Sequence, residues 1–177
     1  TITNCTFEDC QSKAAGSLES GAKTVTIKGC TFRNSKATDR NGGAVNVYAL
    51  DAANPAVSTG CSVRLEDCTF ENCYCRLGSN GNGNGGALRS TAVYNEVINC
   101  TFTNATGVQG GAIAISNTNA DTAIFTNCKI DNCSASNQGG AIYCTAKTII
   151  IDGMSNYIIN CSATNEGGAI YHGRNVN

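Results

Sequence analysis

The stretch NCSASNQGGAI, residues 132–142, returns 28 residues later as NCSATNEGGAI, residues 160–170. Glycine, cysteine and asparagine are poor helix formers. Their return at a fixed interval points to a repeat architecture, in which equivalent residues occupy equivalent places on successive structural units.

Four more copies extend the pattern. Segments opening on cysteine occur at Cys5 (CTFEDC), Cys30 (CTFRNS), Cys68 (CTFENC), Cys100 (CTFTNA) and Cys128 (CKIDNC), with a degenerate sixth between Gly153 and Cys161. Each is followed by a small-residue signal: AGSL ending at Leu18, GGAV at Val45, GGAL at Leu88, and GGAI at Ile113, Ile142 and Ile170. The signal recurs at intervals of 27, 43, 25, 29 and 28 residues, so the period is 25–29. The long interval holds two insertions, 48–60 and 74–84.

Within a unit the apolar residues alternate with period two, as in strands. Val25 and Ile27 alternate, one extra residue intervenes, and Cys30 and Phe32 resume the pattern. Val63, Leu65, Cys68 and Phe70 repeat it, as do Ala123, Phe125, Cys128 and Ile130. A tight corner that keeps the apolar side chains facing inward has this signature. The predicted corner residues are Asn4, Asp67, Asn99 and Asn127 before the aromatic column, and Asp9, Asn34, Asn72, Asn104, Asn132 and Asn160 after it. Asn, Asp and Gly accept the left-handed backbone that corners need. The pattern predicts an all-β, single-domain parallel β-helix (β-solenoid) over residues 1–177, with about six rungs and three short strands per rung. One rung cannot bury its inner face, but a stack can.

Twelve cysteines in a short chain suggest a disulfide framework. Their placement argues otherwise. Cys5, Cys30, Cys68, Cys100 and Cys128 form one inward column, and Cys10, Cys73, Cys133 and Cys161 a second, interrupted by Ser35 and Ala105. Cys61, Cys75 and Cys144 share the inward phase. Thiols one rung apart, with parallel Cα–Cβ vectors about 4.8 Å apart, are poorly placed for disulfides, whose Cβ atoms sit nearer 3.8 Å. They read as reduced, small core hydrophobes. The candidate bridge is Cys61 with Cys75, both beside insertions.

The GGAI signal with an upstream Phe and Asn resembles the GGA[ILV]/FxxN repeats of chlamydial polymorphic outer membrane proteins and related adhesin-like surface proteins. The resemblance covers nearly the whole chain and implies a right-handed, single-stranded parallel β-helix, an extracellular or cell-surface location, and a host or glycan surface ligand. One departure stands out: three residues after the aromatic position come Cys10, Ser35, Cys73, Ala105 and Cys133, with Asn or Asp one residue earlier.

Composition narrows the functional classes. The net charge is −1, from 12 Lys and Arg against 13 Asp and Glu, so there is no basic excess for nucleic acid. No apolar run reaches the ~20 residues of a transmembrane segment. The opening TITNCTF has strand character rather than leader character, which suggests a mature form or a fragment. The acids are spread thinly and many fall at corners, so no catalytic residue is assigned. His172, the single histidine, reads as a packed or capping residue near the C-terminal end. CYC at Cys73–Cys75 lacks zinc spacing, and NGNGNGG at 80–86 lacks the Lys and Ser/Thr of a phosphate loop. No metal or cofactor is expected. Tyr143 and Tyr171 are equivalent outward positions, and Thr6, Thr31, Thr69 and Thr101 make an outward column broken by Lys129. The five N-x-[ST] sequons, at Asn4, Asn99, Asn104, Asn132 and Asn160, are generated by the corner pattern itself.

The leading functional expectation is a non-enzymatic, extracellular structural solenoid whose copies self-associate head to tail into a filament. The alternatives are a fragment of a larger adhesin-like passenger and a β-helical polysaccharide lyase or glycoside hydrolase. The last requires Asp9, Asp39, Glu66 and Asp131 to converge on one face.

Overall fold

The computed structural model describes residues 1–48, 60–78, 83–117 and 119–173, and in it each sequence repeat forms one turn of a coil. The first turn carries β1 (Ile2–Thr3), β2 (Thr6–Glu8), β3 (Gln11–Ser12) and β4 (Leu18–Ser20). The second carries β5 (Thr24–Lys28), β6 (Thr31–Arg33), β7 (Lys36–Ala37) and β8 (Val45–Val47). The third has β9 (Ser62–Glu66), β10 (Thr69–Glu71), β11 (Tyr74–Cys75) and β12 (Leu88–Ser90). The fourth has β13 (Tyr94–Ile98), β14 (Thr101–Thr103), β15 (Thr106–Gln109) and β16 (Ile113–Ile115). The fifth has β17 (Thr122–Thr126), β18 (Lys129–Asp131), β19 (Ser134–Gln138) and β20 (Ile142–Cys144). The sixth has β21 (Thr148–Asp152), β22 (Tyr157–Ile159), β23 (Ser162–Ala163) and β24 (Ile170–His172).

Equivalent strands pair in parallel into four six-stranded sheets, which we call walls A to D in chain order. Among the described residues there is no helix, and so none that could cross a membrane. The expected β-solenoid of about six turns is therefore present, with one correction: each turn has four strands, not three. The additional strand, on wall C, is only two residues long in β3, β7, β11 and β23. Two residues are too few to display an alternation, and so these four strands left no periodic signal. The insertion at 48–60 lies almost wholly outside the described residues. Of the one at 74–84, Tyr74 and Cys75 are strand β11 rather than insertion.

Like stacks on like. On wall B, Phe7, Phe32, Phe70 and Phe102 lie one above another with ring centroids 4.7–4.8 Å apart and nearly parallel planes. That spacing is the interstrand distance itself. The column continues as Ile130 and Ile158. Where wall B gives up its aromatic in turn five, wall A gains one, since Phe125 follows Ile27, Leu65 and Val97 in its column. Turns one to five thus each contain one phenylalanine, as close packing at constant cross-section requires. Turn six has Ile151, Ile158 and Ile170 and no aromatic in the core.

All ten predicted corner residues adopt positive φ, between 51° and 55°, and no other described non-glycine residue does. Asn or Asp at such a position turns the chain and points its side chain to solvent, and the following cysteine or small residue returns inward. The core contains one notable polar cluster. Ser90 Oγ–H donates to Asn95 Oδ1 (2.6 Å), and Asn95 Nδ2–H donates to the Ala92 carbonyl (2.9 Å), with both side chains buried.

The paired glycines of the GGA signal play two different parts. Gly42, Gly85, Gly110, Gly139 and Gly167 have φ between 63° and 72°. The second glycine is required by close approach between turns. A Cβ on Gly43 would lie 1.8 Å from the Gly86 carbonyl oxygen, and on Gly86 or Gly111 it would lie 2.0 Å from the equivalent oxygen of the next turn.

Candidate functional site: corner ladders, thiol columns and end faces

The corner side chains form ladders along the outside of the coil. After wall B, Asn34 Nδ2 donates to Asp9 Oδ1 (2.9 Å), Asn72 to Asn34 (3.2 Å), Asn104 to Asn72 (3.0 Å) and Asn132 to Asn104 (2.7 Å). Asn160 Nδ2 donates to Asp131 Oδ1 instead (2.8 Å). After wall A, Asn99 donates to Asp67 (3.1 Å) and Asn127 to Asn99 (3.4 Å). Every one of these bonds runs from a later turn to an earlier one. An ionised carboxylate only accepts, so it fits only at the foot of such a ladder. That is where both occur: Asp67 lies above Gly29, which has no side chain, and Asp9 lies in turn one.

The thiols follow the predicted columns with one correction. Cys30, Cys68, Cys100 and Cys128 are buried, as are Cys73, Cys133, Cys61, Cys75 and Cys144. Cys10 and Cys161 are half-buried, and Cys5 is exposed, since the described residues cover turns one and six from one side only. All twelve are free, so Cys61 and Cys75 are not bridged. They belong to different walls: Cys61 immediately precedes β9 on wall A, while Cys75 lies on wall C with its Sγ 2.5 Å from the Arg40 carbonyl. Burial pushes Cys73 and Cys75 up to about 12. Cys100 is raised by its hydrogen bond with Cys68 and by burial.

The acids are used to tie turns together. Arg33 joins Glu8 (3.2 Å) to Glu71 (3.0 Å), and Arg64 joins Glu66 (3.1 Å) to Glu96 (2.5 Å). Lys28 completes the second chain at 2.7 Å from Glu66, whose carboxyl it holds below its ordinary range with help from Arg64. Asp9, Asp39, Glu66 and Asp131 fall in turns one, two, three and five and are not brought together. Among the described residues no three His, Cys, Asp or Glu side chains form a metal-holding group. His172 occupies the inward column above Cys144 yet is exposed, and its Nε2–H donates to the Ala146 carbonyl (2.8 Å). Tyr143 and Tyr171 stack on the outside of wall D, with centroids 5.3 Å apart.

The end faces carry features that the repeat pattern alone did not single out. In turns one to five the second glycine (Gly16, Gly43, Gly86, Gly111, Gly140) would place a Cβ 1.8–2.1 Å from a carbonyl oxygen of the next turn, whereas among the described residues nothing lies within 4 Å of the equivalent position on Gly168. On the same face Ile151 is 41% exposed, although Ile27, Leu65, Val97 and Phe125 in its column are at most 1% exposed. Ile150, Tyr157 and Ile159, in the outward phase of walls A and B, are exposed as well. Tyr157 and Ile159 stand where lower turns put Thr, Lys or charged residues. The face of turn one offers Ile2, Phe7 and Leu18, each only partly buried. The signal for Gly168 was visible in the repeated GG, but its meaning needed the distance between turns. No protein-family model matches the chain, and no curated protein or solved structure does either.

Proposed function

We propose that the chain is a non-enzymatic structural β-solenoid, at a cell surface or outside the cell, whose copies stack head to tail into a filament. The observation that carries this reading is Gly168. A glycine is obligatory at its position in turns one to five only because the next turn's carbonyl approaches within about 2 Å of where a Cβ would be. In turn six that reason exists only if another turn covers the face.

A second copy supplies a matching surface. Continuing each column sets Ile2 over Ile151, Phe7 over Ile158, Leu18 over Ile170, and Gly16 over Gly168. Every pair keeps apolar on apolar or small on small, and the open strand edges β21–β24 and β1–β4 gain backbone partners. A head-to-tail contact of this kind does not close on itself. The engagement of Glu8, Glu66, Glu71 and Glu96 in ion pairs supports a structural rather than catalytic use of the acids. The GGA signal and the corner pattern support kinship with the polymorphic outer membrane protein repeats, and adhesion to a host or glycan surface is the role that kinship would add.

Electron microscopy of the purified protein tests the reading. Rods one turn wide are expected, and Gly168→Val should abolish them while leaving the circular dichroism spectrum unchanged. Dispersed particles at every concentration and pH would overturn it. Further repeats in the full gene would then name the same chain as the source of the covering turn, as in a longer adhesin-like passenger.

A further inference from the structure

The corner between walls A and B is built differently in turn six. In turns one to five two residues separate the wall A strand from the wall B strand, as Asn127 and Cys128 separate β17 from β18. In turn six there are four, residues 153–156, between β21 and β22. The longer corner is fastened back onto turn five. Ser155 N–H donates to Asn127 Oδ1 (3.3 Å), and the Cys128 N–H donates to Asn156 Oδ1 (2.7 Å). Held there, it helps to enclose a recess of about 240 Å³, open to solvent and lined by Asn99, Thr101, Asn127, Lys129 and Ser155. That is about eight waters' share of liquid volume, room for one small ligand.

The lining is rich in donors. The corner ladder takes one N–H from each of Asn99 and Asn127, at 3.1 and 3.4 Å, and a primary amide has two. The two oxygens already accept, from Asn127 Nδ2 and from the Ser155 N–H. The ladder therefore leaves an N–H on each amide, beside the hydroxyls of Thr101 and Ser155. Lys129 adds an ammonium where the column of Thr6, Thr31, Thr69 and Thr101 changes to a cation. Among the described residues Lys129 makes no ion pair, and no Asp or Glu lines the recess. The acids at this corner have donors of their own: Asp67 Oδ1 accepts from Asn99, and Asp152 Oδ1 from the Gly153 N–H (2.7 Å).

We propose that this recess binds a singly charged oxyanion, a carboxylate, free or carried by an acidic sugar. Lys129 supplies the one countercharge. The amides and hydroxyls supply hydrogen bonds, which are stronger to an ionised acceptor than to a neutral one. A second negative charge, as on phosphate, would meet no further cation in the lining. The site lies on the outside of the coil across turns four to six and does not depend on whether copies stack.

Amide-resolved NMR titration of the purified chain tests the assignment, at constant ionic strength and at pH 7, where carboxylates are ionised. The probes are sodium acetate, sodium galacturonate and the neutral methyl galactoside. Acetate or galacturonate should shift the Asn99 and Asn127 side-chain amides and the Ser155 backbone amide saturably, and the neutral sugar should not. Lys129→Thr restores the residue that turns one to four carry in this column, so it folds. It should weaken binding about tenfold or more, as loss of a charge-assisted hydrogen bond does. Lys13→Thr removes the same charge elsewhere on the coil and should bind as wild type does. Any binding of acetate assigns the site to the carboxylate itself, and binding of galacturonate alone assigns it to the sugar acid. The proposal is overturned if neither probe gives a saturable shift or if the neutral sugar shifts the same amides equally. Undiminished binding by Lys129→Thr, or equal weakening in Lys13→Thr, overturns it as well.

Discussion

A Cβ placed on Gly140 would lie 2.0 Å from the carbonyl oxygen of Gly168, one turn away. The contact is backbone against backbone, so no side-chain rotation relieves it. Gly140→Ala should therefore cost more than about 2 kcal/mol, because the two turns must part. Gly168→Ala, with nothing among the described residues within 4 Å, should change the stability of dispersed protein by less than about 0.5 kcal/mol. Urea denaturation of the two variants side by side measures the difference.

The wall B aromatic column makes a graded prediction. Phe70 is fully buried between Phe32 and Phe102, and Phe70→Ala should lose about 3–5 kcal/mol through lost burial and the cavity left behind. Phe7, covered from one side only and half-buried, should lose clearly less on the same change. Equal losses at both positions would contradict the stacking described here.

The ladder rule is testable inside the coil, away from any junction. Asn104→Asp keeps the side-chain shape and the left-handed backbone (φ 55°) but cannot donate to Asn72 Oδ1 while ionised. It should cost about 1 kcal/mol at pH 7. The carboxyl introduced there binds its proton more tightly folded than unfolded, so the deficit shrinks as pH falls. Melting temperature against pH, for variant and wild type, reads this directly.

The buried thiols predict both a labelling pattern and an alkaline limit. At about pH 8, iodoacetamide should modify Cys5, Cys10 and Cys161 in the native protein and reach all twelve cysteines only after denaturation, as intact mass would report. Cys73 and Cys75, pushed up to about 12 by burial, stabilise the fold fully below the ordinary thiol range near 8.5. That contribution drains away as pH rises from there toward 12. Urea midpoints at neutral and strongly alkaline pH should show the loss.

Glu66 behaves in the opposite sense. Its carboxyl is held low first by the Lys28 hydrogen bond and then by Arg64, so its contribution is present above the ordinary glutamate range and disappears as pH falls through its lowered value. Glu66→Gln should melt below wild type at pH 7, with the gap closing in acid.

Much of the fold was legible in the residues. The extra position between Ile27 and Cys30 marked a corner, and among the described residues the corner rule located every left-handed Asn and Asp. Burial of Cys30, Cys68, Cys100 and Cys128 followed from the same phase. Wall C was hidden because four of its six strands are only two residues long, too short to display an alternation. Cys5 and His172 were given inward places by phase, but phase describes a turn covered on both sides, and the described residues cover these on one. The suggested Cys61–Cys75 bridge rested on closeness to insertions in the sequence, which says nothing about which wall a residue joins. Asp9 was recognised as a corner, while its place at the foot of a one-way chain of amides required the donor and acceptor atoms.

The Ser90–Asn95 pair has a consequence for how turn three hands the chain on to turn four. Both bonds stay inside one short link, from Ser90 Oγ to Asn95 Oδ1 and from Asn95 Nδ2 to the Ala92 carbonyl. The link therefore brings its own polar partners into the core, and losing one of them would leave an orphaned buried group at about 1–3 kcal/mol. It works as a clasp sewn into the seam, closed by the thread itself rather than by the layers on either side.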